Sequence, residues 1–130
     1  MKGTTMLKKI LLLLLFTLSV TAYDFGDIPK VNVVDIPKGK PLMIQFGKTK
    51  CIWCEHMAPY LKEIKEKYPT VEIYYINTDK DILGAINNNV TILPTSIFWD
   101  KEGKEVGRIV GYLTPDKIMT ALKKYGVLTE

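Results

Sequence analysis

Spacing between apolar positions changes along this chain, and each change marks a different element. Leu42, Met43, Ile44, Gln45 and Phe46 form a short, mostly apolar run closed by Gly47, the pattern of a buried strand. From Cys51 onward the spacing becomes helical. Met57, Tyr60, Leu61, Ile64 and Tyr68 share one face, Lys62, Glu63, Lys65 and Glu66 take the other, and Pro69 stops the helix. Residues 71–77, VEIYYIN, are β-branched and aromatic and predict a second core strand. Residues 81–87 predict a short helix, with Asn87, Asn88 and Asn89 as its loop. TSIFW at 95–99 and EVGRIV at 105–110 flank the loop DKEG, which predicts a β-hairpin. A last helix has Thr114 as N-cap, Pro115 at its first position, a stripe of Ile118, Ala121, Leu122 and Tyr125, and Gly126 at its C-terminal end.

The resulting order is strand, helix, strand, helix, hairpin, helix. It predicts an α/β fold with a central mixed β-sheet flanked by helices on both faces, the first crossover being a right-handed βαβ unit. Ahead of it, residues 23–41 carry Pro29, Pro37, Pro41 and Gly39 around one alternating piece at 31–34. That segment is expected to be an arm with at most one edge strand, leaving 42–130 as the folded domain.

The extreme N-terminus follows another pattern. Lys2, Lys8 and Lys9 precede an apolar run at 10–18, and Ser19, Val20, Thr21 and Ala22 supply small residues for a cleavage site. The apolar run is shorter than the ~20 residues of a spanning helix, so a signal peptide at 1–22, cut near Ala22, is expected, with a soluble, periplasmic or otherwise exported protein as the product. Charge then changes meaning. The full chain is formally +4, but three of its 18 basic residues lie in 1–22, and the remaining 15 face all 14 acidic residues, a net of +1. Nucleic-acid binding thus has no support in composition.

Both cysteines of the chain lie in one short motif, Cys51-Ile52-Trp53-Cys54, at the start of the first predicted helix. Four chemistries use such a pair. A structural staple is the weakest reading, because a bridge over three residues closes almost no loop. Haem attachment needs Cys-x-x-Cys-His, whereas Glu55 intervenes here and His56 comes one residue late. A zinc site needs four ligands, more than two cysteines and one histidine supply. Copper(I) held by the two sulfurs with Met57 or His56 stays open, although Met57 shares the apolar stripe with Leu61 and Ile64. A redox pair also stays open.

A resemblance favours the redox pair. CIWCEHMAP at 51–59 resembles the active-site helix of thioredoxin-like proteins, with Ala58-Pro59 in the register of that family's helix-kinking proline. ILPT at 92–95 is similar to the family's cis-proline segment, and VGYLTP at 110–115 to its glycine-containing link into the last helix. The similarity spans residues 42–128 in the family's element order and implies the thioredoxin-like fold. It departs from cytosolic thioredoxin at Gln45, which stands six positions before Cys51 where the family carries a buried acidic residue, and at Tyr75, where a lysine is often found. Both bear on how the second cysteine handles its proton.

The resemblance implies roles. Cys51, at the positive end of a helix, is the expected nucleophile, since such a site lowers a thiol pKa from ~8.5 to as low as ~3.5–7.5. Cys54, one turn on, is the expected resolving thiol. Lys48 and Lys50 are candidates for added positive charge beside Cys51, with solvated loop lysines as the plain alternative. Trp53 is a candidate substrate contact, and Leu93, Pro94 and Thr95 a candidate docking segment in which a cis bond before Pro94 frees the backbone of Leu93 for a substrate strand. No cofactor or metal is expected beyond the redox-active disulfide. The function expected is an exported thiol:disulfide oxidoreductase acting on proteins of the bacterial envelope, a monomer kept reduced by a membrane electron donor. Oxidases and isomerases of that compartment usually carry a helical insertion or a dimerisation domain, for which the chain has no room, and this favours a reductase. A periplasmic oxidase, a copper(I) chaperone using the same cysteines and a redox-inert partner protein are the alternatives.

Overall fold

The computed structural model describes residues 24–129, so the signal-peptide segment expected at 1–22 lies outside the described residues. A 3-10 turn at Val33–Asp35 leads into β1 (Leu42–Gly47), α1 (Ile52–Lys67), β2 (Ile73–Asn77), α2 (Ile82–Asn87), β3 (Thr95–Trp99), β4 (Glu105–Val110) and α3 (Pro115–Lys124). The strands form one sheet in the order β2-β1-β3-β4. β1 pairs parallel with β2 and antiparallel with β3, and β4 pairs antiparallel with β3. This is the expected mixed sheet.

Strand β1 is central and buried at every position because both sheet faces are covered. Alternation then sorts its side chains. Met43 packs with Met57, Leu61, Ile64, Phe98, Ile118 and Leu122 between the sheet and helices α1 and α3. Leu42, Ile44 and Phe46 pack on the opposite side with Ile36, Ile76 and Ile97. Gln45, Gly47 and, across the β1/β2 register, Tyr75 share the parity of Met43 and so belong to the α1 side.

Helix ends are set by local chemistry. Lys65 Nζ donates to the carbonyls of Pro69 (2.8 Å) and Val71 (2.9 Å), placing a cation where α1 ends. The Val71 N–H donates to the Tyr68 carbonyl in the same turn, and β2 starts only at Ile73, two residues after the start predicted. α3 has Thr114 as N-cap and Pro115 as its first residue, and Gly126 beyond its end takes φ +73°, which glycine adopts without strain.

The arm departs from the alternation at 31–34. It pairs through a single parallel bridge between Lys30 and Tyr75, in which the Val31 N–H donates to the Tyr75 carbonyl (3.1 Å) and the Tyr75 N–H to the Pro29 carbonyl (2.9 Å). Two residues later the chain turns instead of extending, because Asp81 captures it. Asp81 caps α2 by accepting the Gly84 N–H on Oδ1 (3.0 Å), and its Oδ2 accepts the Val33 N–H (2.7 Å). One carboxylate thus serves as helix cap and as anchor for a segment far away in sequence.

Candidate active site

Strand β1 delivers the chain to the motif through an exposed turn at 48–50, in which Lys50 takes φ +62°. Cys51 follows in extended conformation as the N-cap of α1. Its Sγ accepts the N–H of Cys54 at 3.3 Å, and its carbonyl accepts the N–H of Glu55 at 2.9 Å. A cysteine here takes over the capping work of serine or aspartate, with sulfur as acceptor for one of the helix's orphan N–H groups. Cys51 and Cys54 form a disulfide, with Cα atoms 5.2 Å apart. The partners are unequal: Cys51 is partly exposed, whereas Cys54 is 3% exposed. Any thiolate at Cys51 forms at the positive end of α1 and within reach of solvent.

On the solvent side, Trp53 is 54% exposed, with its ring 5.7 Å from that of His56 and 5.4 Å from that of Tyr112. Tyr112 donates through its hydroxyl to the Tyr60 hydroxyl at 3.2 Å. That bond first, and partial desolvation second, hold the Tyr112 phenol above the ordinary tyrosine pKa. Lys48 and Lys50 are exposed in the turn.

The segment before β3 lies at the same end of the sheet. The Leu93–Pro94 peptide bond is cis. Thr95 pairs with Phe46, so this segment lies at the end of β1 from which the motif leaves. Leu93 is half-buried and Pro94 buried, and the Pro94 carbonyl accepts the Gly111 N–H at 2.7 Å. Thr95 is interior, its hydroxyl donating to the Ile92 carbonyl, so it braces the segment from within. Ile92, three residues before β3, and Val110, the last residue of β4, are exposed.

Behind the disulfide the environment is closed. Gln45 is 2% exposed, its Oε1 accepts the Ser96 hydroxyl at 2.7 Å, and its Nε2 points at Met57 Sδ, 4.0 Å away. Tyr75, its cross-strand partner, is buried with its ring stacked on Phe25 at 4.2 Å. Among the described residues no group of three or more His, Cys, Asp or Glu could hold a metal ion, and no helix is long and apolar enough to cross a membrane.

Cys51, Cys54 and Trp53 are therefore brought together at one sheet end, with Leu93 and Pro94 at that same end by register. Sequence reasoning missed Tyr112, Tyr60 and Ser96. Tyr112 lies in VGYLTP, which resembles the family's link into the last helix, but that motif says nothing of its contacts with Trp53 and Tyr60. Ser96 had none, since its role is defined by a contact with Gln45.

Comparison with known proteins agrees with this geometry. Residues 34–126 match the thioredoxin-like domain family. The chain is 33% identical over 76 residues to thioredoxin-1 of Saccharomyces cerevisiae, covering 58% of this chain and 73% of that protein. It is 30% identical over 119 residues to the thiol-disulfide oxidoreductase ResA of Bacillus thuringiensis, covering 73% of this chain and 68% of that protein. Among solved structures, oxidized mitochondrial thioredoxin 3 of Saccharomyces cerevisiae matches with a TM-score of 0.67 at 28% identity, over 77% of this chain and 97% of that one.

Proposed function

We propose a function from one premise: the chain belongs to the thioredoxin-like family. It is a thiol:disulfide oxidoreductase whose redox-active disulfide is Cys51–Cys54. The finer reading is that it acts outside the cytoplasm, as a reductase of disulfides in envelope proteins, and is itself re-reduced by a membrane electron donor. The signal-peptide pattern at 1–22 supports export.

The observation that carries the mechanism is the inequality of the two sulfurs. In the reduced protein, the Cys51 thiolate attacks a substrate disulfide and forms a mixed disulfide, releasing the first substrate thiol. Cys54, buried and one turn away, then attacks Cys51 Sγ and releases the second. Two electrons pass to the substrate and the Cys51–Cys54 disulfide is left. Leu93 offers its backbone to an extended substrate segment beside the cis bond, and Trp53 with Tyr112 offers an aromatic surface. The connection between β2 and β3 contains only the six-residue helix α2, which leaves no helical insertion of the kind that marks envelope oxidases.

A copper(I) chaperone would recruit Met57 or His56 to the two sulfurs. Met57 is fully buried with its sulfur facing Gln45, and His56 rests by Trp53, so the arrangement favours thiol exchange. Equilibration in glutathione or dithiothreitol buffers tests the direction. A reductase should titrate below about −200 mV, whereas a value near about −120 mV would make the protein an oxidase.

A further inference from the structure

On the buried side of the disulfide, the Tyr75 phenol and the sulfur of Cys54 both border Gly47. A methyl group placed on Gly47 would stand 2.9 Å from the Tyr75 hydroxyl oxygen and 3.2 Å from Cys54 Sγ. The hydroxyl and the sulfur thus both border the position that a side chain at residue 47 would occupy, which glycine leaves empty. The Tyr75 ring is fixed on Phe25, which holds the hydroxyl in place.

Among the described residues little else there can answer a charge. The buried polar side chains among the described residues are Gln45, Thr95 and Ser96, none of which titrates, and Gln45 is engaged by Ser96. From the turn, Lys48 and Lys50 are exposed, as are Glu55 and His56 on α1. A thiolate forming on Cys54 leaves water for an apolar interior, which raises its pKa unless a donor meets it.

We propose that the Tyr75 hydroxyl donates a hydrogen bond to Cys54 Sγ across the gap kept by Gly47 when the pair is reduced, making Tyr75 a positioning residue for the resolving thiol. This rests on the reading of Cys54 as the resolving thiol. In the resolving step Cys54 yields its proton to solvent and its sulfur bonds to Cys51 Sγ. The bond between Cys51 and the substrate sulfur breaks, and the substrate sulfur leaves with the electron pair and is protonated by solvent. The Tyr75 O–H is intact before and after.

Tyr75→Phe keeps the ring and removes only the oxygen. In reduced protein carrying Cys51→Ser, so that a single thiol titrates, the carbon-13 shift of Cys54 Cβ is followed against pH. Tyr75→Phe should raise the midpoint by about one unit, a tenfold loss of thiolate below it. With Cys51 present, decay of a mixed disulfide should slow by a similar factor at neutral pH and recover at alkaline pH. Gly47→Ala, which places a methyl against both the oxygen and the sulfur, should raise the midpoint too, but add nothing in the Tyr75→Phe background. An unmoved midpoint in Tyr75→Phe, additive shifts, or a rate defect that persists at alkaline pH would overturn the proposal. If Gly47→Ala does not fold, the Tyr75→Phe titration decides alone. The titration needs no substrate, so absence of disulfide reduction with the expected midpoint shift would count against the functional reading and leave this one standing.

Discussion

The two sulfurs of one disulfide look onto opposite environments. Cys51 opens toward a rim of exposed or half-exposed rings, Trp53, His56 and Tyr112, while Cys54 looks back onto Gly47, Tyr75 and the packed core. Only two residues lie between them, and the helix makes the difference. As N-cap, Cys51 is still outside the helix; Cys54 is inside its first turn, on the face that continues as Met57, Ala58 and Leu61. The comparison teaches that the surface proposed for recognition and the environment proposed for proton control lie on opposite sides of a single bond.

The largest effect should come from breaking that division at the sulfurs. Cys51→Ser should reduce insulin-disulfide turnover to the uncatalysed background. Cys54→Ser should instead accumulate mixed disulfides with substrate proteins through Cys51, read on non-reducing gels. Equal trapping through Cys54 in the Cys51→Ser protein would reverse the roles of the two sides.

Stability and activity should part along the same line. Leu61 is fully buried behind the motif, so Leu61→Ala should cost roughly 2–5 kcal/mol in urea unfolding. Trp53→Ala, on the exposed side, should move stability by under about 0.5 kcal/mol while raising KM for protein substrates several-fold. An unchanged KM would remove Trp53 from the recognition surface and leave the rim as mere packing.

What could be read from the sequence divides similarly. The stripe of Met57, Leu61 and Ile64 and the pairing of TSIFW with EVGRIV were legible because each depends on periodicity within one segment. The place of Cys51 at the start of that helix was legible for the same reason, whereas its capping role was not. The 31–34 alternation forms no strand because its fate is decided by Asp81, a residue that no local pattern connects to Val33. Gly47 was read as the end of a strand, which it is, yet its second role comes from Tyr75 and Cys54 approaching from two other elements. Tyr112 escaped for a like reason: its partners, Trp53 and Tyr60, sit on a helix more than fifty residues earlier. Contacts between distant segments, not element types, are what the linear pattern hid.

The smallest expected effect sharpens the comparison on the exposed side. Tyr112 donates its hydroxyl hydrogen to Tyr60, and that bond holds its pKa above the ordinary value of 10.0. A group whose pKa is raised by folding adds stability that is complete below the unfolded pKa and fades as pH rises through the folded one. Melting curves of the wild type and Tyr112→Phe should therefore differ by a small, constant amount from neutral pH to about pH 10. They should converge above it, as the wild type loses what the variant never had. Both hydroxyls sit at the rim, where water competes for them, so the offset should be well below that of Leu61→Ala. A large offset, or curves that diverge at alkaline pH, would mean that the aromatic rim is part of the structural core and that the contrast between the two sides of the disulfide is overdrawn.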